Sequence, residues 1–323
     1  MIGSAAMLAM AALTPERLAS AASLRVFGDA ARETTPITPN DEFYITSYHH
    51  TPEVDVKSWS LSIKGLVNKP KTFMYDDLVK RTNTSMISTL ECIGNPVGGE
   101  SIGTAKWEGV KLNALLDEAG VDPKAVDLVL RGVDGYSDSF PAQHALRDEV
   151  LLVTKMNGMP LPDDHGFPAR VIVPGIYGMK NVKWLTELEL VDQDFKGYWE
   201  KKGWSDDAEV QLMSRIDLPG HSETLRGPDY TVKGIAFSGL RGIRKVEVST
   251  DGGTTWHQAT LEPALSPYAW VLWSYRWKIP GPGRYKLVAR ATDGDGMLQS
   301  PTRRGEFPDG KSGLHDITVK VEA

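Results

Sequence analysis

Ser88-Thr89-Leu90-Glu91-Cys92-Ile93-Gly94-Asn95-Pro96-Val97-Gly98-Gly99-Glu100-Ser101-Ile102-Gly103-Thr104-Ala105-Lys106-Trp107 holds the single cysteine of the chain. A β-compatible run, Met86 to Leu90, leads into Cys92. The Gly94 to Gly99 segment cannot prolong that strand, because glycine and proline interrupt pairing and Asn-Pro starts turns. The thiol is therefore expected at a strand end beside pliable backbone, where a thiolate can face a metal or a substrate while main-chain N–H groups close around it. A buried, inert thiol is the competing reading for a lone cysteine. The rest of the chain decides between them.

At 323 residues and 41% hydrophobic content, the chain is long enough for about two domains with real cores. The net charge is −6 with no block of Lys or Arg, so nothing points to a nucleic-acid surface. One cysteine excludes an internal disulfide and any CxxC zinc or redox motif. Nine tryptophans offer packing in their place. Residues 1–24 pair an Ala/Met-rich apolar run with a small-residue cluster, Ala19 to Ser23, and read as an export signal that lacks its basic start. An N-terminal helix is the alternative, since alanine-rich runs favour helices. No other stretch reaches the ~18 apolar residues of a membrane span.

Down the chain, Phe43 to Tyr48 reads as a strand ending on His49 and His50, of which only one can face a given site. Trp59 to Leu66 alternates as a half-buried strand. Phe73 to Lys80 and Leu112 to Ala119 read as short helices, the second closing at Gly120. Val126 to Val133 is a strand running into the turn Asp134-Gly135-Tyr136. Glu149 to Met156 is strand-like, and Val171 to Gly175 is a buried strand. A Pro/Gly linker near Leu218-Pro219-Gly220 precedes an all-β pattern from Tyr230. Its strands, separated by Asp-Gly-Gly and Asp-Gly-Asp-Gly turns, predict an immunoglobulin-like sandwich.

Glu91-Cys92-Ile93-Gly94-Asn95 followed by Thr104-Ala105-Lys106-Trp107 resembles the cysteine-bearing segment of the sulfite oxidase family of molybdenum enzymes. His165 to Arg170 and Gly178 to Leu185 resemble that family's second signature, and Val246 to Trp256 followed by Ala269-Trp270 resembles its C-terminal dimerisation domain. The resemblance covers nearly everything after residue 35. It implies an α+β molybdopterin-binding domain over 35–215 and an immunoglobulin-like dimerisation domain over 225–323. It further implies one pterin per molybdenum, with Cys92 as the metal's thiolate ligand; soft sulfur suits such a metal. Pterin and phosphate contacts are implied for His165, Arg170, Asn181 and Lys183, joined by His49, His50, Asn95, Asp134 and Val182. A planar guanidinium and an ammonium suit a phosphate dianion.

The pattern departs from animal and plant sulfite oxidases around the substrate. The arginine expected in the Phe43–His50 segment is absent. Pro96-Val97 replaces a basic pair, and Trp204 stands at the place of a pocket tyrosine. Arg241 alone matches a pocket arginine, so Tyr48, Trp204 and Arg241 join Cys92 as catalytic candidates. Losing charge-assisted donors of ~1.5–3 kcal/mol each weakens binding of a small dianion unless others replace them. The expected activity is two-electron oxygen-atom transfer, oxidising sulfite or an organic sulfur compound. With no haem-attachment motif, electrons would pass to a separate c-type cytochrome. Reduction of sulfoxides or N-oxides on the same centre is the alternative, and a cofactor-free binding module is a third reading. A homodimer in the periplasm, exported folded, completes the expectation.

Overall fold

Leu61 and Ile63, alternate residues of β1 (Ser60–Gly65), are fully buried while their neighbours are not, as a half-buried strand requires. This computed structural model describes residues 33–323. β1 pairs antiparallel with β2 (Lys71–Met74) and parallel with β10 (Leu185–Val191). The sheet continues through β5 (Asp127–Gly132) to β6 (Ser137–Pro141). Helix α1 (Tyr75–Arg81) follows β2. Helix α2 (Leu112–Ala119) buries Leu112, Leu115, Leu116 and Ala119, a stripe at helical spacing. It closes at Gly120, whose φ of +70° is the left-handed conformation glycine takes freely.

A second sheet carries the cysteine. β3 (Thr84–Glu91) and β4 (Ile102–Lys111) form an antiparallel pair, joined by the 92–101 loop. β4 pairs with β7 (Leu151–Met156), which is flanked by β8 (Met159–Pro160) and β9 (Arg170–Ile172). A core including Leu61, Leu115, Leu130, Leu152, Val171 and Leu188 joins the elements of the two sheets.

From β11 (Met213–Leu218) onward the chain is all β. One sheet runs β11, β13 (Asp229–Phe237), β17 (Val271–Lys278), β16 (Thr260–Leu261). The other contains β14 (Ile243–Ser249), β18 (Gly283–Asp293) and β19 (His315–Glu322). Trp273 and Trp277 share a core with Val246, Leu287 and Val319 from the second sheet, so aromatic packing stands where a disulfide would. A further cluster spans the two halves: Ile93, Tyr177 and Trp204 pack with Met213, Phe237 and Trp270. Gly98 (φ +79°) lies at this junction, where a Cβ would fall 2.4 Å from the His315 ring.

One expectation changes. Phe43–Tyr48 is not a strand. Thr46, Ser47 and Tyr48 all line one cavity, which alternating strand side chains cannot do. The 1–24 export reading lies outside the described residues. No helix among the described residues is long and apolar enough to cross a membrane.

Candidate active site

Cys92 follows directly on β3, and its thiol lines a cavity of about 250 Å³. The loop behind it is held by Asn95, which donates to Glu91 Oε1 (2.9 Å) and accepts from the Ser101 N–H (3.0 Å). Asn95 is fully buried and builds the loop; it does not line the cavity. Burial pushes the Cys92 thiol up, against the opposing pull of the Gly94 N–H and the Thr46 hydroxyl. A thiol in that balance becomes a thiolate readily only when a cation or metal arrives.

A second set of lining residues is cationic. Arg170, at the start of β9, donates to the carbonyls of His165 (3.0 Å) and Asn181 (3.0 Å) and stacks over Trp107 at 5.3 Å. Its Nε is buried without a partner. Burial lowers its pKa to about 10. Lys183 donates to Ser47 Oγ (2.8 Å) and to the Asp164 carbonyl (2.8 Å). Burial first, then the neighbouring Arg170 charge, brings it down to about 7. His165 bonds through Nε2 to the Asn40 carbonyl (3.0 Å), and burial holds its pKa near about 4, so the ring is neutral. A carbonyl can only accept, so Nε2 carries the proton.

Asn181 lines this wall, although its side chain is committed to the Val173 N–H (2.7 Å) and the Tyr177 carbonyl (3.1 Å). Val182 and Asp134 also line it, and Asp134 accepts from the Tyr136 N–H (3.1 Å), closing the turn. Gly166, at φ +109°, lets the backbone pass Lys183: a Cβ there would sit 3.0 Å from the lysine Cβ.

The remaining wall is aromatic. Tyr48 packs edge-on against Tyr198 (centroids 4.3 Å), and Trp199 packs edge-on against Trp204 (6.2 Å). All four line the cavity. Trp204 Nε1 is buried with no acceptor, a donor directed at something the protein does not supply.

Besides Asn95, three of the expected residues stand off the cavity. Arg241 does not line the cavity; it pairs with Asp293 (3.0 Å) and donates to the Val210 carbonyl (2.9 Å), fastening the tail sandwich to the junction. His49 and His50 are exposed and also off the cavity, because the 43–50 segment turns outward after Tyr48. Sequence reasoning missed Tyr44, Thr46, Ser47, Tyr136, Tyr198 and Trp199, all lining residues. The aromatic Gly197-Tyr198-Trp199 run offered a signal; the hydroxyl residues of 44–47 offered none.

Taken together, a buried guanidinium and an ammonium that make no ion pair with a carboxylate among the described residues share one cavity with the only thiol. Unneutralised buried cations call for an anion. The donor set therefore fits a phosphate-bearing pterin together with a thiophilic metal. Arg170 and Lys183 would hold the anionic end, and Cys92 would ligate the metal.

Comparison with known proteins agrees. Residues 48–199 match the family described as oxidoreductase molybdopterin binding domain, and residues 206–304 match the Mo-co oxidoreductase dimerisation domain. The chain is 30% identical to mitochondrial sulfite oxidase of Mus musculus, over 82% of this chain and 58% of that protein. It is 33% identical to the Drosophila melanogaster enzyme, over 79% of this chain and 54% of that protein. The chain thus spans little more than half the length of these animal relatives. Sulfite oxidase of Arabidopsis thaliana matches at 29% identity, over 81% of this chain and 82% of that protein. Among solved structures, the sulfane dehydrogenase SoxCD from Paracoccus pantotrophus superposes with a TM-score of 0.78 at 26% identity, covering 91% of this chain and 85% of that one.

Proposed function

The chain belongs to the sulfite oxidase family of molybdopterin-dependent oxidoreductases, and on that premise we propose that it oxidises a reduced sulfur compound less charged than sulfite. The observation that carries this reading is that one cavity is lined by Cys92, by the anion-seeking Arg170 and Lys183, and by the aromatic Tyr48, Tyr198, Trp199 and Trp204. The cations near the thiol are the ones assigned to the cofactor, and Arg241 is engaged elsewhere. Among the described residues that leaves no spare guanidinium lining the cavity for a small dianion, which in a dry site depends on charge-assisted hydrogen bonds. Relatives named sulfite oxidase and sulfane dehydrogenase support sulfur as the reacting element.

When bound, the molybdenum–pterin group supplies two-electron oxygen-atom transfer. The chain's own residues do the rest. Arg170 and Lys183 orient the anionic end of the pterin; His165, neutral and tied to the Asn40 carbonyl, keeps that wall in place without adding charge. Aromatic faces exclude water from the reacting sulfur and favour an apolar substituent. Trp204 Nε1–H is free to donate to the oxygen the product gains. Electrons leave singly to a separate c-type cytochrome. Two copies associate through the tail sandwich, a reading supported by its match to a dimerisation domain. The periplasm is the proposed location.

Production in a host that makes the cofactor, followed by assays of sulfite, thiosulfate and organic sulfur compounds with ferricytochrome c, tests this. Turnover of a neutral or singly charged organic sulfur compound exceeding that of the dianions sulfite and thiosulfate supports it; faster turnover of either dianion counts against it. Faster reduction of a sulfoxide by a reduced dye, with no sulfur oxidation, would favour the reverse activity.

A further inference from the structure

Behind the aromatic wall lies a buried charge cluster that cofactor binding does not use. Lys180 is 1% exposed, and its ammonium donates to Asp138 Oδ1 (3.0 Å), Glu200 Oε1 (3.1 Å), Asp206 Oδ1 (3.3 Å) and the Ser139 carbonyl (2.9 Å). Asp138 is completely buried, and Glu200 keeps Oε2 without a partner. Asp206 is the outlet: its side chain is 42% exposed and pairs with the surface ammonium of Lys196 at 2.6 Å. On the inner side, Tyr136 Oη lies 2.7 Å from Asp138 Oδ2 and 3.0 Å from the Met179 carbonyl. Tyr136 is the one member of the cluster that lines the cavity.

The two buried carboxylates, Asp138 and Glu200, thus face the one buried ammonium of Lys180, a net excess of one negative charge in low dielectric, while at the surface Asp206 shares the ammonium of Lys196 with Asp194. Such a set holds a proton more economically than it holds the extra charge. Ion-pair networks of this kind are also built for structure alone. What separates this one from a structural network is its layout, a continuous hydrogen-bonded line from a reaction cavity to solvent.

We propose that Tyr136, Asp138, Lys180 and Asp206 form the path by which protons released in the cavity reach the surface. The proposal rests on the sulfur-oxidising reading. Oxidation of a sulfur centre with water as the oxygen source, R–S + H2O → R–SO + 2 H+ + 2 e−, sends two electrons to the one-electron acceptor in single steps and leaves two protons in an aromatic pocket. Each proton is taken up at Tyr136 Oη as the phenol passes its own to Asp138 Oδ2. Lys180 then gives one proton to Asp206 while taking one from Asp138, so the ammonium is never left neutral, and Asp206 releases to solvent. Burial, the largest effect, and the nearby Glu200 raise Asp138 to about 7 against the pull of Lys180 and Tyr136, which suits a group that must both take and give a proton.

Asp138→Asn and Tyr136→Phe test the path on the full chain, in two measurements. In metal-free protein, the infrared carbonyl band of a protonated buried carboxyl is expected to titrate near neutral pH in the wild type and in Tyr136→Phe, and to be missing from Asp138→Asn. In cofactor-loaded enzyme both variants should lose about 10²-fold in kcat, with KM and molybdenum content unchanged. The neutral-pH limb of the wild-type kcat profile should vanish in both. A wild type with no titrating band, or variants within twofold of wild-type kcat with the limb intact, would overturn the proposal. Loaded wild type that oxidises no sulfur compound refutes the functional reading instead, and the infrared titration then still decides whether the cluster stores a proton.

Discussion

Lys311, from the loop preceding β19 in the tail sandwich, donates to the buried carboxylate of Glu91, the residue directly before Cys92. Both are almost fully buried, and Glu91 Oε2 has no partner of its own. The tail domain therefore braces the strand end that presents the thiol. Removing one partner of such a pair strands a charge in low dielectric, which costs about 3–5 kcal/mol. Lys311→Met should lower the urea midpoint accordingly, and adding Glu91→Gln should recover most of the loss. A single variant as stable as the wild type would show that the pair is solvated in solution.

Arg170→Lys should abolish cofactor retention while the chain still folds. An ammonium keeps the charge but lacks the planar fork with which Arg170 reaches the His165 and Asn181 carbonyls from two separate nitrogens, so it cannot hold both and stay oriented toward a phosphate. Pterin content after gel filtration, expected to fall more than about tenfold (about 1.4 kcal/mol of binding), is the readout. Retention at the wild-type level would remove Arg170 from the anion-binding wall.

Trp204→Phe keeps an aromatic ring against Trp199 and Phe307 and removes the unpartnered Nε1–H together with part of the indole's volume. The expected result is a roughly tenfold fall in kcat/KM, about one hydrogen bond, with molybdenum content unchanged. Unchanged kinetics would leave the ring as packing only.

Much of this site is legible in the chain because its parts lie in local motifs. A strand-ending cysteine before Gly-Asn-Pro, a turn at Asp134-Gly135-Tyr136, and His165-Gly166-Phe167-Pro168-Ala169-Arg170 each announce a backbone geometry, and the cavity brings Cys92, Asp134, His165, Arg170, Val182 and Lys183 together. What stayed hidden depends on distant partners. Nothing local marks Asp138 on β6, which meets Glu200 and Asp206 only through the ammonium of Lys180, and Lys311 lies 220 positions from Glu91. Arg241 misled for the same reason in reverse. Its motif match says nothing of Asp293, which claims the guanidinium.

Acid should loosen the metal-free protein at pH values above the ordinary carboxylate range. His315 accepts from the Ile216 N–H through Nδ1 (2.9 Å), and burial, then the Arg215 charge, lowers its pKa to about 4. The unfolded chain binds that proton near its ordinary value of about 6.5, so stability is full above ~6.5 and falls as pH drops toward ~4, by up to about 3 kcal/mol. His165, also lowered to about 4, adds to this loss, while Asp138, raised to about 7, opposes it, so urea midpoints should slope downward with acid and His315→Gln should make the slope shallower. A flat wild-type profile would mean that the ring is solvated when folded.

The most direct measurement is the molybdenum and pterin content of wild type and Cys92→Ser, purified from a host that makes the cofactor, with the visible spectrum of each. The account predicts stoichiometric metal and a thiolate-to-metal absorption band in the wild type, and loss of that band with most of the metal in Cys92→Ser. A folded wild type without molybdenum, or a serine variant with the same metal content and the same spectrum, would contradict it.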